Sequence, residues 1–139
     1  VTFIPAKGWH LEMMQLSDLV REILGKYPSA DVIEGLGMCG LAHTITVDHA
    51  GKILVLGIVG AVPRGPGLGE VFVIAAEERR EHCVAFVRAV RRILDRARTR
   101  FAIIEAVAAE GVPDRWFKWL GFSPVARESG RWRLEGEKT

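Results

Sequence analysis

Apolar positions in this chain recur with two different periods, and the switches between them mark out the elements. From Trp9 to Leu24, the residues Leu11, Met14, Leu16, Leu19, Val20, Ile23 and Leu24 return every three or four positions. That spacing puts side chains on one face of a helix. Thr2–Ala6 ahead of it is short and β-prone. Gly25 ends the helical pattern, and Tyr27-Pro28-Ser29 reads as a loop. Asp31–Gly40 suggests a further helical turn, weakened by its three glycines. Leu41–Val47 then alternates, with Ile45 and Val47 facing one way and Thr44 and Thr46 the other, as on a half-buried strand. Asp48-His49-Ala50-Gly51 predicts a turn, and the almost wholly apolar Lys52–Val62 predicts a central strand covered on both faces. Pro63-Arg64-Gly65-Pro66-Gly67-Leu68-Gly69 predicts a loop in which no strand continues, serving as a hairpin connection.

Glu70–Ala76 predicts a third strand of Val71, Phe72, Val73 and Ile74. The clearest element is Glu77–Arg100, where Cys83, Val87, Val90, Leu94 and Ala97 form a helical stripe widened by Val84, Phe86 and Ile93. Glu77, Glu78 and Glu81 open it, and Arg96, Arg98 and Arg100 close it, in agreement with the helix dipole. Phe101–Ala108 predicts another strand. Val112–Leu120 predicts a short helix with Pro113 in its first turn and Gly121 at its end. Ser123–Arg127 and Gly130–Glu135 predict a final hairpin. The order is that of a single domain over residues 1–139, an α/β or α+β mixed sheet with helices packed on it.

Composition narrows the function classes. The 139 residues are 49% hydrophobic and 26% charged, and the mean hydropathy of +0.16 excludes intrinsic disorder. No apolar run approaches the roughly 20 residues of a membrane span, and no signal-peptide pattern opens the sequence. A net charge of +2 is too mild to imply nucleic acid. Cys39 and Cys83, outside any Cys-x-x-Cys pair, read as two buried thiols in a reducing compartment. His10, His43, His49 and His82 show no metal-ligand spacing.

The element order, the long central helix and the segment Arg115-Trp116-Phe117-Lys118-Trp119-Leu120-Gly121-Phe122, followed by the hairpin Pro124–Leu134, resemble the GNAT superfamily of N-acetyltransferases. Within it, the basic central helix and the closing Arg127-Glu128-Ser129-Gly130-Arg131-Trp132-Arg133-Leu134 stretch resemble the internal virion protein A family of short-tailed phages. The superfamily resemblance implies a GNAT-like acyl-CoA N-acyltransferase fold, a sheet that splays in the middle and admits acetyl-CoA. The phage resemblance implies the host cytoplasm, with incorporation in the virion, and phage structural proteins as partners.

Two chemical tests bear on that implied activity. Typical members bind pyrophosphate through glycines at the start of the central helix, where backbone N–H groups approach the phosphates. The matching segment here, Ala75 to Val84, has no glycine, and Glu77, Glu78 and Glu81 crowd it. One like-charge contact at ~4 Å in an effective dielectric of ~20 costs about 4 kcal/mol before screening. Arg79 and Arg80 could offset this, and with Val73 they are the candidate cofactor-binding residues. The other reading of that segment is a helix start decorated with dipole-favoured carboxylates. In many members a tyrosine in the late helix protonates the departing thiolate; the matching residue is Phe117, which has no proton to give. Glu70, Glu105, His82 and Asp48 are candidate bases, each with a solvated or salt-bridged alternative. No catalytic residue and no metal ligand is assigned.

Arg79, Arg80, Arg88, Arg91, Arg92, Arg96, Arg98 and Arg100 make the central helix basic: a solvated face, or a docking surface for an acidic protein partner or nucleic acid, the latter disfavoured because no aromatic side chains interleave the arginines. Trp116, Trp119 and Trp132 cluster near the C-terminus as core rings or as interface indoles. Because both chemical tests fail together, the sequence favours a non-catalytic structural or interaction module without cofactor. The alternative is an acetyl-CoA-dependent N-acetyltransferase with an atypical phosphate loop.

Overall fold

The computed structural model describes residues 1–14, 28–76, 81–107, 114–125 and 131–136. Its elements are β1 (Thr2–Pro5), a 3-10 segment (Gly8–Met13), α1 (Ala30–Met38), β2 (Ala42–His49), β3 (Lys52–Gly65), β4 (Leu68–Ala75), α2 (Cys83–Ala97), β5 (Ile103–Val107), α3 (Asp114–Trp119), β6 (Ser123–Pro124) and β7 (Arg131–Glu135). The strands make one seven-stranded mixed sheet in the order β1-β2-β3-β4-β5-β7-β6. β4 and β5 run parallel, while β1–β2, β2–β3, β5–β7 and β6–β7 are antiparallel. The mixed α+β class expected from the pattern is the one observed.

Two compact units divide the chain, Val1–Gly60 with Phe72–Ile93 and Ala61–Val71 with Leu94–Thr139. In the first unit both faces of β2 are covered. Ala42 to Thr46 are all buried, so the alternation did not mark a solvent face. Thr44 and Thr46 lie on the face reached by His10 of the 3-10 segment, and their hydroxyls are satisfied by His10 at 2.6 Å and by Thr2 at 3.0 Å. Ile45 faces the other way, paired with Gly57. A side chain on Gly57 would meet the ring of fully buried Phe86, so this glycine makes room for α2.

α1 is a complete helix where three glycines suggested a weak turn. Ser29 caps it, its hydroxyl accepting from the Val32 N–H at 3.3 Å. At its other end Gly40 adopts φ 73°, and Leu41 N–H bonds back to Leu36 O at 2.8 Å. This is a Schellman ending, which favours glycine because the left-handed conformation penalises a Cβ. Ser29→Ala is expected to cost about 1 kcal/mol in urea denaturation, the usual loss for such a cap. The helix predicted over Trp9–Leu24 is a 3-10 segment as far as Met13; residues 15–27 lie outside the described residues.

The second unit contains the ends of β3 and α2, the start of β4, and β5, β6, β7 and α3. Its buried face holds Gly69, Ile104, Ala106, Trp132 and Leu134, with Phe101 packed against Gly69. The loop predicted over Pro63–Gly69 is shorter than expected. β3 runs through Pro63 to Gly65 and β4 starts at Leu68, leaving Pro66-Gly67 as the turn. The β2 ladder ends at Ala42↔Gly60, so no β2 carbonyl requires an N–H from Pro63.

Candidate functional site

In the first unit the candidate region is the C-terminal half of β4 with the start of α2. The parallel ladder to β5 runs from Leu68↔Ile103 to Val71↔Ala106, and β4 itself continues to Ala75. Among the described residues, then, the last four positions of β4 have no ladder to β5. On the β3 side this stretch is held by the Ala76 N–H donating to Leu56 O at 2.9 Å. Val73, the sequence candidate on this stretch, is half-buried.

Glu77, Glu78, Arg79 and Arg80 lie outside the described residues. The next residues are exposed Glu81, half-buried His82 and exposed Cys83, where α2 begins. The His82 ring meets His49 edge-on, with centroids 5.7 Å apart at 78°. His82 Nε2 is enclosed and has no hydrogen-bond partner among the described residues. An enclosed ring nitrogen without a partner forgoes a hydrogen bond, so it is a place where a ligand atom would be stabilising. Asp48, beside His49, is exposed. Both thiols correct the sequence expectation: Cys39 and Cys83 are exposed, not buried, and neither is in a disulfide. The stripe on α2 is carried instead by Phe86, Val87, Val90, Ile93 and Leu94.

In the second unit, strand register assembles a charged row that sequence spacing could not reveal. Glu70 pairs with Glu105 across β4–β5, Glu105 with Arg133 across β5–β7, and Arg133 with Ser123 across β6–β7. The Glu105 carboxylate accepts from Arg133 at 2.8 Å and from Arg131 at 3.5 Å. Glu70 accepts from Arg64 Nε at 3.2 Å. Glu70 and Glu105, two of the three carboxylates named as candidate bases, are therefore engaged by guanidinium groups, which is the salt-bridged alternative.

α3 places Phe117 in the core of this unit. Its ring stacks on Trp132 at 5.0 Å and 7°, and meets Phe122 edge-on at 6.0 Å. Gly121, at φ 95°, ends the helix as predicted, with the Phe122 N–H bonding to Phe117 O at 2.9 Å. Phe117, which the resemblance aligns with a tyrosine, is thus a packing residue. Trp132, considered as an interface indole, is 4% exposed and belongs to the core. Trp119 is 47% exposed, Trp116 is half-buried, and Arg88, Arg91, Arg92 and Arg96 lie on the exposed side of α2. The most exposed indole, Trp9 at 58%, had no sequence signal beyond its place in a presumed helix.

Sequence reasoning also missed His10 as more than one of four scattered histidines. It is 4% exposed, and its Nδ1 accepts from the Lys7 backbone N–H at 3.0 Å beside the Thr44 hydroxyl. Burial lowers its pKa from the ordinary 6.5; the nearby Glu34 carboxylate acts against that shift and Lys7 acts with it. Among the described residues no group of three or more His, Cys, Asp or Glu side chains could hold a metal ion, and no helix is long and apolar enough to cross a membrane.

No protein-family model and no curated protein matches the sequence. Solved structures do match it in fold. A ribosomal-protein-alanine N-acetyltransferase from Brucella melitensis superposes with a TM-score of 0.65 at 12% identity, over 97% of this chain and 99% of that one. A spermidine N-acetyltransferase chimera from Vibrio cholerae gives 0.62 at 19% identity, over 97% and 96%. An N-acetylglutamate synthase from Neisseria gonorrhoeae, complexed with coenzyme A and N-acetyl-glutamate, gives 0.63 at 14% identity, over 99% of this chain and 35% of that one. The resemblance to phage internal virion proteins gains no support from these matches. The molecule has the GNAT acetyltransferase fold, built on a seven-stranded mixed sheet.

Proposed function

We propose that this chain is an acetyl-CoA-dependent N-acetyltransferase whose phosphate contacts are made by side chains in place of a glycine-lined backbone. The observation that carries the reading is the course of β4, which runs beyond its ladder with β5 toward the start of α2 in a fold shared with acetyltransferases along nearly the whole chain. Support also comes from the neighbour solved with coenzyme A, whose fold this chain shares. The non-catalytic virion module is less well supported, since the matching proteins named above are acetyltransferases.

The residues present fit the group in two places. The last residues of β4, Val73 among them, offer main-chain hydrogen-bonding groups not used by β5. His82, at the start of α2, offers an enclosed Nε2, unpartnered among the described residues, as a donor for a phosphate oxygen. Arg79 and Arg80, just before it in sequence, would add positive charge against the three glutamates. When bound, acetyl-CoA supplies a thioester: the amine nitrogen bonds to its carbonyl carbon, the C–S bond breaks, and the amine proton is lost as the thiolate gains one. Phe117 takes no part in that proton transfer, being a hydrocarbon ring stacked in the core.

The test is a calorimetric titration of the chain with acetyl-CoA, paired with a melting curve. A ligand at one hundred times its Kd stabilises the folded state by about 2.7 kcal/mol, which raises the Tm measurably. His82→Ala is expected to weaken binding about tenfold while leaving the Tm of the ligand-free chain in place. Absence of heat and of any Tm change at millimolar acetyl-CoA would sink the reading.

A further inference from the structure

Outside the acetyl-CoA region, the most complete polar arrangement in the first unit centres on His10. The 3-10 segment Gly8–Met13 contacts the sheet through this side chain, with Trp9 and Met13 on either side of it in sequence turned outward. His10 Nδ1 accepts the backbone N–H of Lys7 at 3.0 Å, and the hydroxyl of fully buried Thr44 on β2 lies 2.6 Å from the same atom. A ring nitrogen that accepts an N–H carries no hydrogen of its own, so the Thr44 hydroxyl is the donor in the second contact. The Lys7 bond therefore requires a bare Nδ1.

We propose that His10 is a proton-operated latch: neutral, it pins residues Gly8–Met13 to β2, and on protonation of Nδ1 it releases them. A proton on that atom would set an N–H against the Lys7 N–H in a site with little access to water, while the Thr44 hydroxyl, which can accept as well as donate, would turn to accept it. A buried donor facing a donor loses its bond and its hydration together. The cheaper outcome is for the ring to leave and hydrate, taking the segment with it.

Among the described residues, the charged groups around the latch are few. α1 presents Glu34, whose Oε2 accepts the Gly8 N–H at 2.7 Å and whose Oε1 lies 3.9 Å from Lys7 Nζ. The chain entering the segment presents Lys7, and β2 presents the uncharged Thr44. Burial favours the neutral ring, Lys7 reinforces it, and Glu34 opposes it. The sign follows: His10 holds its proton less readily when folded than when unfolded, so the latch is fully closed above about pH 6.5 and opens as pH falls below it.

The experiment is a two-dimensional NMR titration of the intact chain from pH 7.5 to 5.0, with amide hydrogen exchange corrected for its intrinsic pH dependence. The Lys7, Gly8 and Thr44 signals are expected to move together with the His10 ring signals, at one midpoint below 6.5. Protection of the Lys7 amide should fall at least tenfold, while core signals such as Ile104 and Leu134 stay in place. In His10→Gln, whose side-chain oxygen accepts but does not titrate, the transition should vanish. Glu34→Gln removes the charge that favours the cation and should lower the midpoint. Unmoved Lys7 and Thr44 signals through the range, or the same transition in His10→Gln, would overturn the proposal. Should His10→Gln fail to fold, a lowered midpoint in Glu34→Gln supports the latch and an unchanged midpoint refutes it.

Discussion

Gly37→Ala should destabilise the protein by about 3 kcal/mol, whereas Gly35→Ala in the same helix should stabilise it by about 0.5–1 kcal/mol. Both glycines sit in α1, and helix propensity alone predicts the same gain from each. Their surroundings differ. A Cβ on Gly35 meets nothing within 4 Å. A Cβ on Gly37 would overlap the Ala6 carbonyl oxygen and lie 2.9 Å from its carbon and 3.0 Å from its nitrogen. Those are backbone atoms, and the Ala6 N–H is tied to Ala42 O at 3.0 Å, so the obstacle cannot rotate away as a side chain would. Either α1 lifts or the end of β1 moves, and both disturb a packed layer. Urea denaturation of the two variants checks this; equal effects would mean that α1 does not approach Ala6 so closely.

Phe117→Ala should cost about 3–5 kcal/mol, the range for emptying a buried aromatic position. The ring is 9% exposed, stacked on Trp132 and edge-on to Phe122, with Leu120 and Leu134 also buried in the same unit. Removing it leaves a cavity that the two neighbouring rings cannot fully close. The expected signature is a lower midpoint in chemical denaturation. A residue acting chemically would instead change turnover at unaltered stability, so a stable but slow Phe117→Ala would count against the packing role.

Much of the fold was legible because it follows from apolar run length and period. The apolar run Lys52–Val62 forms a strand as expected and is covered on both faces from Val55 to Ala61, though Ile53 near its start is exposed, and the α2 stripe forms a helix on a core. Failures came where the deciding contact is remote in sequence. Thr44 and Thr46 look solvent-facing until His10 and Thr2 are brought onto them. Pro63 looks like a strand breaker until the β2 ladder is seen to stop at Gly60. Trp132 looks like one of three equivalent indoles until β7 turns it onto Phe117. At the candidate site, the missing glycines and the missing tyrosine are legible as letters. The meeting of His49 with His82, and the clamp of Arg131 and Arg133 on Glu105, depend on strand and turn placement that no local pattern encodes.

The outward placement of the two thiols also decides how the purified protein behaves on the bench. Cys39 ends α1 and Cys83 opens α2, each open to solvent. In air, without reductant, such groups couple molecules into covalent pairs that show on a non-reducing gel. The same accessibility makes each one, with the other changed to serine, a handle for a maleimide dye, a spin label or a mercury atom that leaves the hydrophobic interior undisturbed.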